Sequence, residues 1–346
     1  MAKESKAPRA PKAPKEPKPP KAEVPRYGTA EWYGRDMVEL SPEKRQEFGG
    51  LAVTKDIKIA PTCPYLSSVV PESRCNKPGG VCTIQRFRKT PDGSVEPVPG
   101  DKIVSVCPAR FLQPLEDGKT LFQWIAQEML DTDTFEVASE RPFLRQVGKV
   151  ASSDESKEDR ETRRKAGRID WIIVKAPIVE DDPIWCAVET QSLYFSGEGR
   201  AKEFALYAEK PSPILWPTAI RRPDYRSSGP KRLSPQLDIK VPALEMWHKK
   251  TAVVIDRHFL SKMYGLTDHD QNAKTPKGRR DNAQVVWFVV DHKLTPSGWV
   301  QIPHCIKYSS LKNSLEALSA AVPMDKDEFN RDLIAKLKAS KSKAHE

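Results

Sequence analysis

The sequence predicts an α/β chain, a mixed sheet flanked by helices, preceded by an irregular segment held by cysteines. Three observations lead there. Residues 169–174 (Ile-Asp-Trp-Ile-Ile-Val) and 184–188 (Ile-Trp-Cys-Ala-Val) are short apolar runs around a Pro-Asp-rich stretch, the pattern of a hairpin. Leu121, Phe122, Trp124, Ile125 and Met129 recur at helical spacing. Sheet segments interleaved with helices point to an α/β or α+β architecture.

The elements follow in chain order. Residues 1–26 hold eight Lys/Arg, three Glu and seven Pro, which predicts an extended, disordered tail. Residues 27–118 are rich in turn formers and carry Cys63, Cys75, Cys82 and Cys107, so an ordered segment here needs a staple. Helix is expected over 119–131, then a charged helix or loop over 152–168, then the hairpin. A long Pro-, Arg- and Ser-rich loop is expected over 211–235, a helix over 241–250 and a strand over 251–255. Residues 285–291 read as a buried strand, 310–321 as a helix and 325–346 as a charged helix or tail. No internal repeat is present.

Composition narrows the function classes. The 346 residues are 38% hydrophobic and 30% charged, which supports a real core in a soluble protein. No run approaches the ~18 apolar residues of a membrane span, and no apolar segment follows the first lysines as in a signal peptide. Secretion and membrane insertion are therefore not expected. The formal charge is +10. Half of it, a net +5, sits in the tail, so bulk charge alone does not establish nucleic-acid binding.

Three groups of residues can carry chemistry. The four clustered cysteines are separated by 11, 6 and 24 residues, too far apart for paired Cys-x-x-Cys knuckles. Loops of this length can still converge four thiolates on one ion, and four unrelated thiols are the alternative. Cys186 and Cys305 read as small apolar residues. The second group lies on the hairpin. Strand alternation puts Glu189 and Gln191 on one face, within reach of Asp170, and two converging carboxylates suit Mg²⁺. Such a pair also arises by chance as solvated strand ends. The third group is basic: Arg221, Arg222, Arg226, Lys231 and Arg232 beside Trp216 and Tyr225, with Lys274, Lys277, Arg279 and Arg280 further on. Arginines of this kind contact phosphates or guanine edges, or merely solvate a loop.

Thr62-Cys-Pro-Tyr-Leu, Glu72-Ser-Arg-Cys, Gly80-Val-Cys and Val106-Cys-Pro-Ala-Arg together resemble the iron-binding four-cysteine segment of NotI-type restriction endonucleases. Ile169-Asp-Trp, Val188-Glu-Thr-Gln and Phe195-Ser-Gly are similar to that family's active-site strands, and weaker similarity runs through 243–263 and 282–291. The resemblance implies a type II endonuclease with the PD-(D/E)XK core over 119–324, a cytoplasmic, prokaryotic enzyme. It implies a homodimer cutting double-stranded DNA at a GC-rich palindrome with Mg²⁺, beside a cognate DNA methyltransferase. It further implies structural iron, or zinc in its place, on Cys63, Cys75, Cys82 and Cys107. Asp170 and Glu189 would hold Mg²⁺, and Gln191 would stand where most nucleases of this superfold have lysine. A neutral amide orients water or phosphate but brings no positive charge. The family's further upstream acid has no clear match: the sequence there runs Gly148-Lys149-Val150, and Glu155, Glu158 and Glu161 do not align. The rival readings are a structure-selective repair or recombination nuclease of the same core, and a metal-stapled DNA-binding protein without catalysis.

Overall fold

Two sheets share one continuous hydrophobic core in the computed structural model, which describes residues 23–54, 56–144, 167–195, 198–267, 275–321 and 324–343. The first sheet corrects the expectation of an irregular 27–118 segment. It comprises β1 (Arg26–Trp32), β2 (Arg35–Asp36), β3 (Val81–Lys89), β4 (Val95–Pro97) and β5 (Val104–Ser105), with helix α1 (Pro42–Thr54) between β2 and β3. The antiparallel order is β2-β1-β3-β4, with β5 also on β3. Thr83 and Gln85 on β3 are buried among apolar residues, so the period-two pattern that announces a strand is broken there.

Helix α2 (Leu121–Leu130) forms where its periodicity places it. Thr120 and Gln123 cap its start reciprocally: the Thr120 hydroxyl accepts from the Gln123 N–H at 3.1 Å, and the Gln123 side chain accepts from the Thr120 N–H at 3.0 Å.

The second sheet is mixed and positions the acids. Its strands are β6 (Phe135–Pro142), β7 (Arg168–Lys175), β8 (Trp185–Thr190), β9 (Thr251–Asp256), β10 (Val285–Thr295) and β11 (Gly298–Ser309), in the order β11-β10-β9-β8-β7-β6. The expected hairpin is present as antiparallel β7–β8, with Trp171 opposite Val188. Strands β8, β9 and β10 run parallel to one another. Every residue of β9 is buried, as apolar runs covered on both faces must be.

Helices α3 (Glu198–Glu209), α4 (Ser234–Glu245), α5 (Leu311–Ser319) and α6 (Lys326–Lys343) complete the fold. The loop expected over 211–235 ends early. Tyr225–Ser228 and the wide helical turn Gly229–Leu233 lead straight into α4, which ends at Glu245 instead of spanning 241–250. Among the described residues no helix is long and apolar enough to cross a membrane.

Two contacts fix the sheets on each other beside the site. Asp256, at the end of β9, accepts from the Ser105 N–H of β5 at 2.7 Å, and the Ser105 carbonyl accepts from the Leu193 N–H at 3.0 Å. On the far side, α1 packs directly on α3: a Cβ at Gly49 would lie 2.6 Å from the Ala208 nitrogen. Trp32 stacks on Phe204 of α3 with ring centres 5.3 Å apart. The helix that carries Arg200 is thereby held by the N-terminal sheet. Most of the expected tail (1–22) and of the charged stretch 152–168 lies outside the described residues, as do Lys274 and the acids Glu155, Glu158 and Glu161.

Candidate active site

The β7–β8 ladder ends at Trp171–Val188, one residue short of Asp170 and Glu189. At that open end Asp170 takes over the pairing. Its carboxylate accepts from the Thr190 N–H at 3.0 Å and from the Thr190 hydroxyl at 3.2 Å. Glu189 is 2% exposed and 3% of its side chain is accessible, while the Lys240 Nζ of α4 donates to both of its oxygens at 2.8 Å. Lys240 is itself 1% exposed and also donates to Gln236 at 3.0 Å.

Burial raises the Asp170 carboxyl above its ordinary range, with the Thr190 N–H bond and the Lys240 charge opposing the shift. Burial first, and then the neighbouring Asp170 charge, raise Glu189; Lys240 opposes. Two acids that repel each other in a low-dielectric recess need a cation between or beside them. Gln191 continues beside β9: its N–H donates to the Val254 carbonyl at 2.9 Å and its side-chain amide to the Ser192 carbonyl at 2.6 Å. One of the two amide N–H donors is thus engaged within the chain.

A cavity of about 410 Å³ is lined by Asp170, Glu189 and Gln191 together with Lys77, Arg200 and Arg232. An adjoining cavity of about 500 Å³ shares Lys77, Asp170 and Thr190 and reaches Glu140 and Cys107. Glu140, on β6, has a positive φ of 46° and accepts from Arg168 at 2.6 Å; its charge also raises Asp170. It is the acid upstream of Asp170 that the structure brings to this cavity.

The four cysteines are all free thiols and all buried. An isolated bridge, Thr62–Arg74, draws two of their loops together: the Cys63 N–H donates to the Ser73 carbonyl at 2.8 Å and the Cys75 N–H to the Pro61 carbonyl at 2.9 Å. The Leu66 N–H points at the Cys63 sulfur at 3.4 Å. Burial raises the thiols of Cys63, Cys75 and Cys82, and Cys107 raises all three further. The four are therefore electrostatic neighbours. Among the described residues, however, no three His, Cys, Asp or Glu side chains are gathered closely enough to hold a metal ion. Cys186 is buried on β8, where it acts as an apolar residue.

The expected basic residues divide. Arg221 is buried and paired with Glu203 at 2.5 Å, and Arg280 is buried and fork-paired with Asp131 at 2.8 and 2.9 Å. Both guanidinium groups are thus engaged with carboxylates of the chain itself. Arg279 is half-buried, whereas Arg222, Arg226, Lys231, Arg232 and Lys277 are exposed, and Arg232 lies over the Tyr194 ring at 4.9 Å.

Lys240, Arg200, Lys77 and Glu140 were not singled out by sequence reasoning. Lys240 left one trace, a lysine among Leu237, Val241 and Leu244 on a helical face. With the helix start placed at 241, that trace was lost. The family whose sequence model matches the chain is described as restriction endonuclease NotI, and the match spans residues 51–299, which include the four cysteines, both acids and Gln191. Comparison with curated proteins gives no match.

Proposed function

The chain belongs to the NotI restriction endonuclease family, an endonuclease family acting on double-stranded DNA, and from that premise we propose that the cavity at the open end of β7–β8 is its phosphodiesterase site. The single observation that carries the reading is the convergence of Asp170 and Glu189 in one recess whose remaining charged walls are cationic. Two buried oxygen donors that repel each other fit a hard divalent ion. Asp170 and Glu189 would hold Mg²⁺, with Glu140 the nearest further acid. When bound, Mg²⁺ lowers the pKa of water and offsets charge developing on the phosphate.

The chain's own residues do the rest. Thr190 holds Asp170 in place through two hydrogen bonds. Gln191 has given one amide N–H to Ser192, and its side-chain oxygen can accept from a water in the cavity. Lys240 brings the positive charge that an amide at Gln191 cannot. It reaches the acid from α4, not from the strand itself.

The four thiols with an N–H directed at sulfur have the chemistry of a tetrahedral thiolate site for iron or zinc, although their loops would have to tighten to reach ligand distance. In this reading the ion staples the N-terminal sheet against the active site. A two-fold homodimer would match a palindromic, GC-rich target, and a cognate methyltransferase would protect the host's own copies.

The test is a digest of unmethylated, GC-rich DNA with the purified protein in Mg²⁺ or in EDTA. Discrete fragments that require Mg²⁺ are expected. A Mg²⁺-dependent smear would favour a structure-selective nuclease, and DNA binding without any cutting a stapled binding protein.

A further inference from the structure

Arg200 stands in the first turns of α3, 9% exposed, on the wall of the cavity that holds Asp170 and Glu189. One of its nitrogens, Nη2, donates to the Phe195 carbonyl at 2.8 Å. Nε and Nη1 are buried and have no hydrogen-bond partner in the protein. Its neighbours explain why. Arg221 lies beside it, stacked at 4.7 Å over the same Phe195 ring that Arg200 covers at 5.3 Å. Glu203, the acid that would neutralise the pair, is taken by Arg221 at 2.5 Å and by the Thr218 N–H at 3.0 Å. Among the described residues no carboxylate forms an ion pair with Arg200.

A buried guanidinium with two free donors is costly unless an anion or water meets it. Burial and then the Arg221 charge lower its pKa to about 10, so it stays cationic at neutral pH. Arginine presents a planar fork that matches the two oxygens of a phosphate. Asp170 and Glu189 line the same cavity and exclude a carboxylate ligand unless a metal intervenes. A phosphodiester seated against Arg200 would therefore lie in the same cavity as the hydrolytic residues.

We infer that Arg200 is a phosphate-binding residue of this cavity, its unpartnered N–H groups donating to non-bridging oxygens of the DNA backbone. The assignment rests on the nuclease reading of the site. Arg221 is its positioning partner: by taking Glu203, it leaves Arg200 uncommitted.

The experiment measures equilibrium binding of a fluorescent DNA duplex in EDTA, where no cutting interferes, for wild type, Arg200→Met and Arg200→Lys over a series of salt concentrations. Arg200→Met is expected to bind about 10- to 100-fold more weakly, with the salt slope reduced by about 0.9. Arg200→Lys should restore the slope, but only part of the affinity, because it keeps the charge and loses the fork. A lost fold is recognised by circular dichroism, and a purely structural arginine would not change the slope. Unchanged affinity and slope in folded Arg200→Met would overturn the inference. So would orthophosphate raising the melting temperature of wild type but not of Arg200→Met while duplex binding stayed equal, since the ligand would then be free phosphate. A wild type that binds duplex in an Arg200-dependent way yet never cuts in Mg²⁺ would defeat the nuclease reading and leave Arg200 in its role. A wild type that binds no duplex would defeat both.

Discussion

Lys240 and Asp256 show how single buried charges set the behaviour of this molecule. Lys240 is enclosed with Glu189, so removing one partner leaves the other charge uncompensated. Lys240→Met should lower stability in EDTA by about 3–5 kcal/mol, and Mg²⁺ should stabilise the variant more than wild type, because the ion then meets no competing ammonium. Thermal unfolding with and without Mg²⁺ reads both effects; equal Mg²⁺ shifts would contradict the role given to Lys240. Asp256 has a different signature. Burial pushes its carboxyl up from 3.8 to about 6, against hydrogen bonds from the Phe259 and Ser105 N–H groups. A raised carboxylate favours the neutral form in the fold. Its contribution is therefore complete below the unfolded value of 3.8 and is lost as pH rises through about 6. Denaturant unfolding should show wild type losing about 3 kcal/mol relative to Asp256→Asn across that window, with the difference constant above it. No change in the difference would mean that Asp256 is not buried as described.

At the level of elements, the α1–α3 contact fixes the helix that carries Arg200, and Cys107 lines the cavity beside Asp170. Gly49 lets the two helices touch: its added Cβ would meet the Ala208 nitrogen at 2.6 Å and the Phe204 carbonyl oxygen at 2.9 Å. Both are backbone atoms and cannot rotate away, so Gly49→Ala should cost about 1–3 kcal/mol in unfolding measurements, against the gain Ala usually brings to a helix. Iron or zinc on the four thiols is tested by chelation and by Cys75→Ser. Both should lower the melting temperature and raise proteolysis between β1 and β5; an unchanged fold would remove the staple. Elements whose buried residues are mostly apolar were legible. The β7–β8 hairpin, β9, β10 and α2 all follow from runs or periodicity in the sequence. Strands that mix burial with polarity were not. β3 buries Thr83 and Gln85, β6 runs Phe-Glu-Val-Ala-Ser-Glu-Arg-Pro, and β11 carries Pro303 at a register shift against β10. In β11 the buried Gln301 amide donates to the Phe111 and Gln113 carbonyls, contacts that no local window contains. The helix expected over 241–250 starts earlier, at Ser234, with Pro242 inside it.

For the molecule as a whole, the acids were legible because Asp170 and Glu189 lie on adjacent strands joined by the single connection 176–184. The cations that surround them were not, because Lys77, Arg200 and Lys240 come from a loop and two helices far apart in sequence. Basic residues that clustered in sequence, Arg221 and Arg280 among them, proved partly structural. Linear charge density thus does not tell which guanidinium groups the fold leaves unpaired; burial without a partner does. The central claim is that the Asp170–Glu189 pair performs the hydrolysis. It is tested most directly by single-turnover cleavage in Mg²⁺ of DNA carrying the mapped site, comparing wild type with Asp170→Asn, with duplex binding measured in EDTA alongside. Asp170→Asn should bind DNA within a few-fold of wild type and cut at least about 10²-fold more slowly. Cleavage at the wild-type rate by a variant of unchanged binding would contradict the account and place the chemistry elsewhere on the chain.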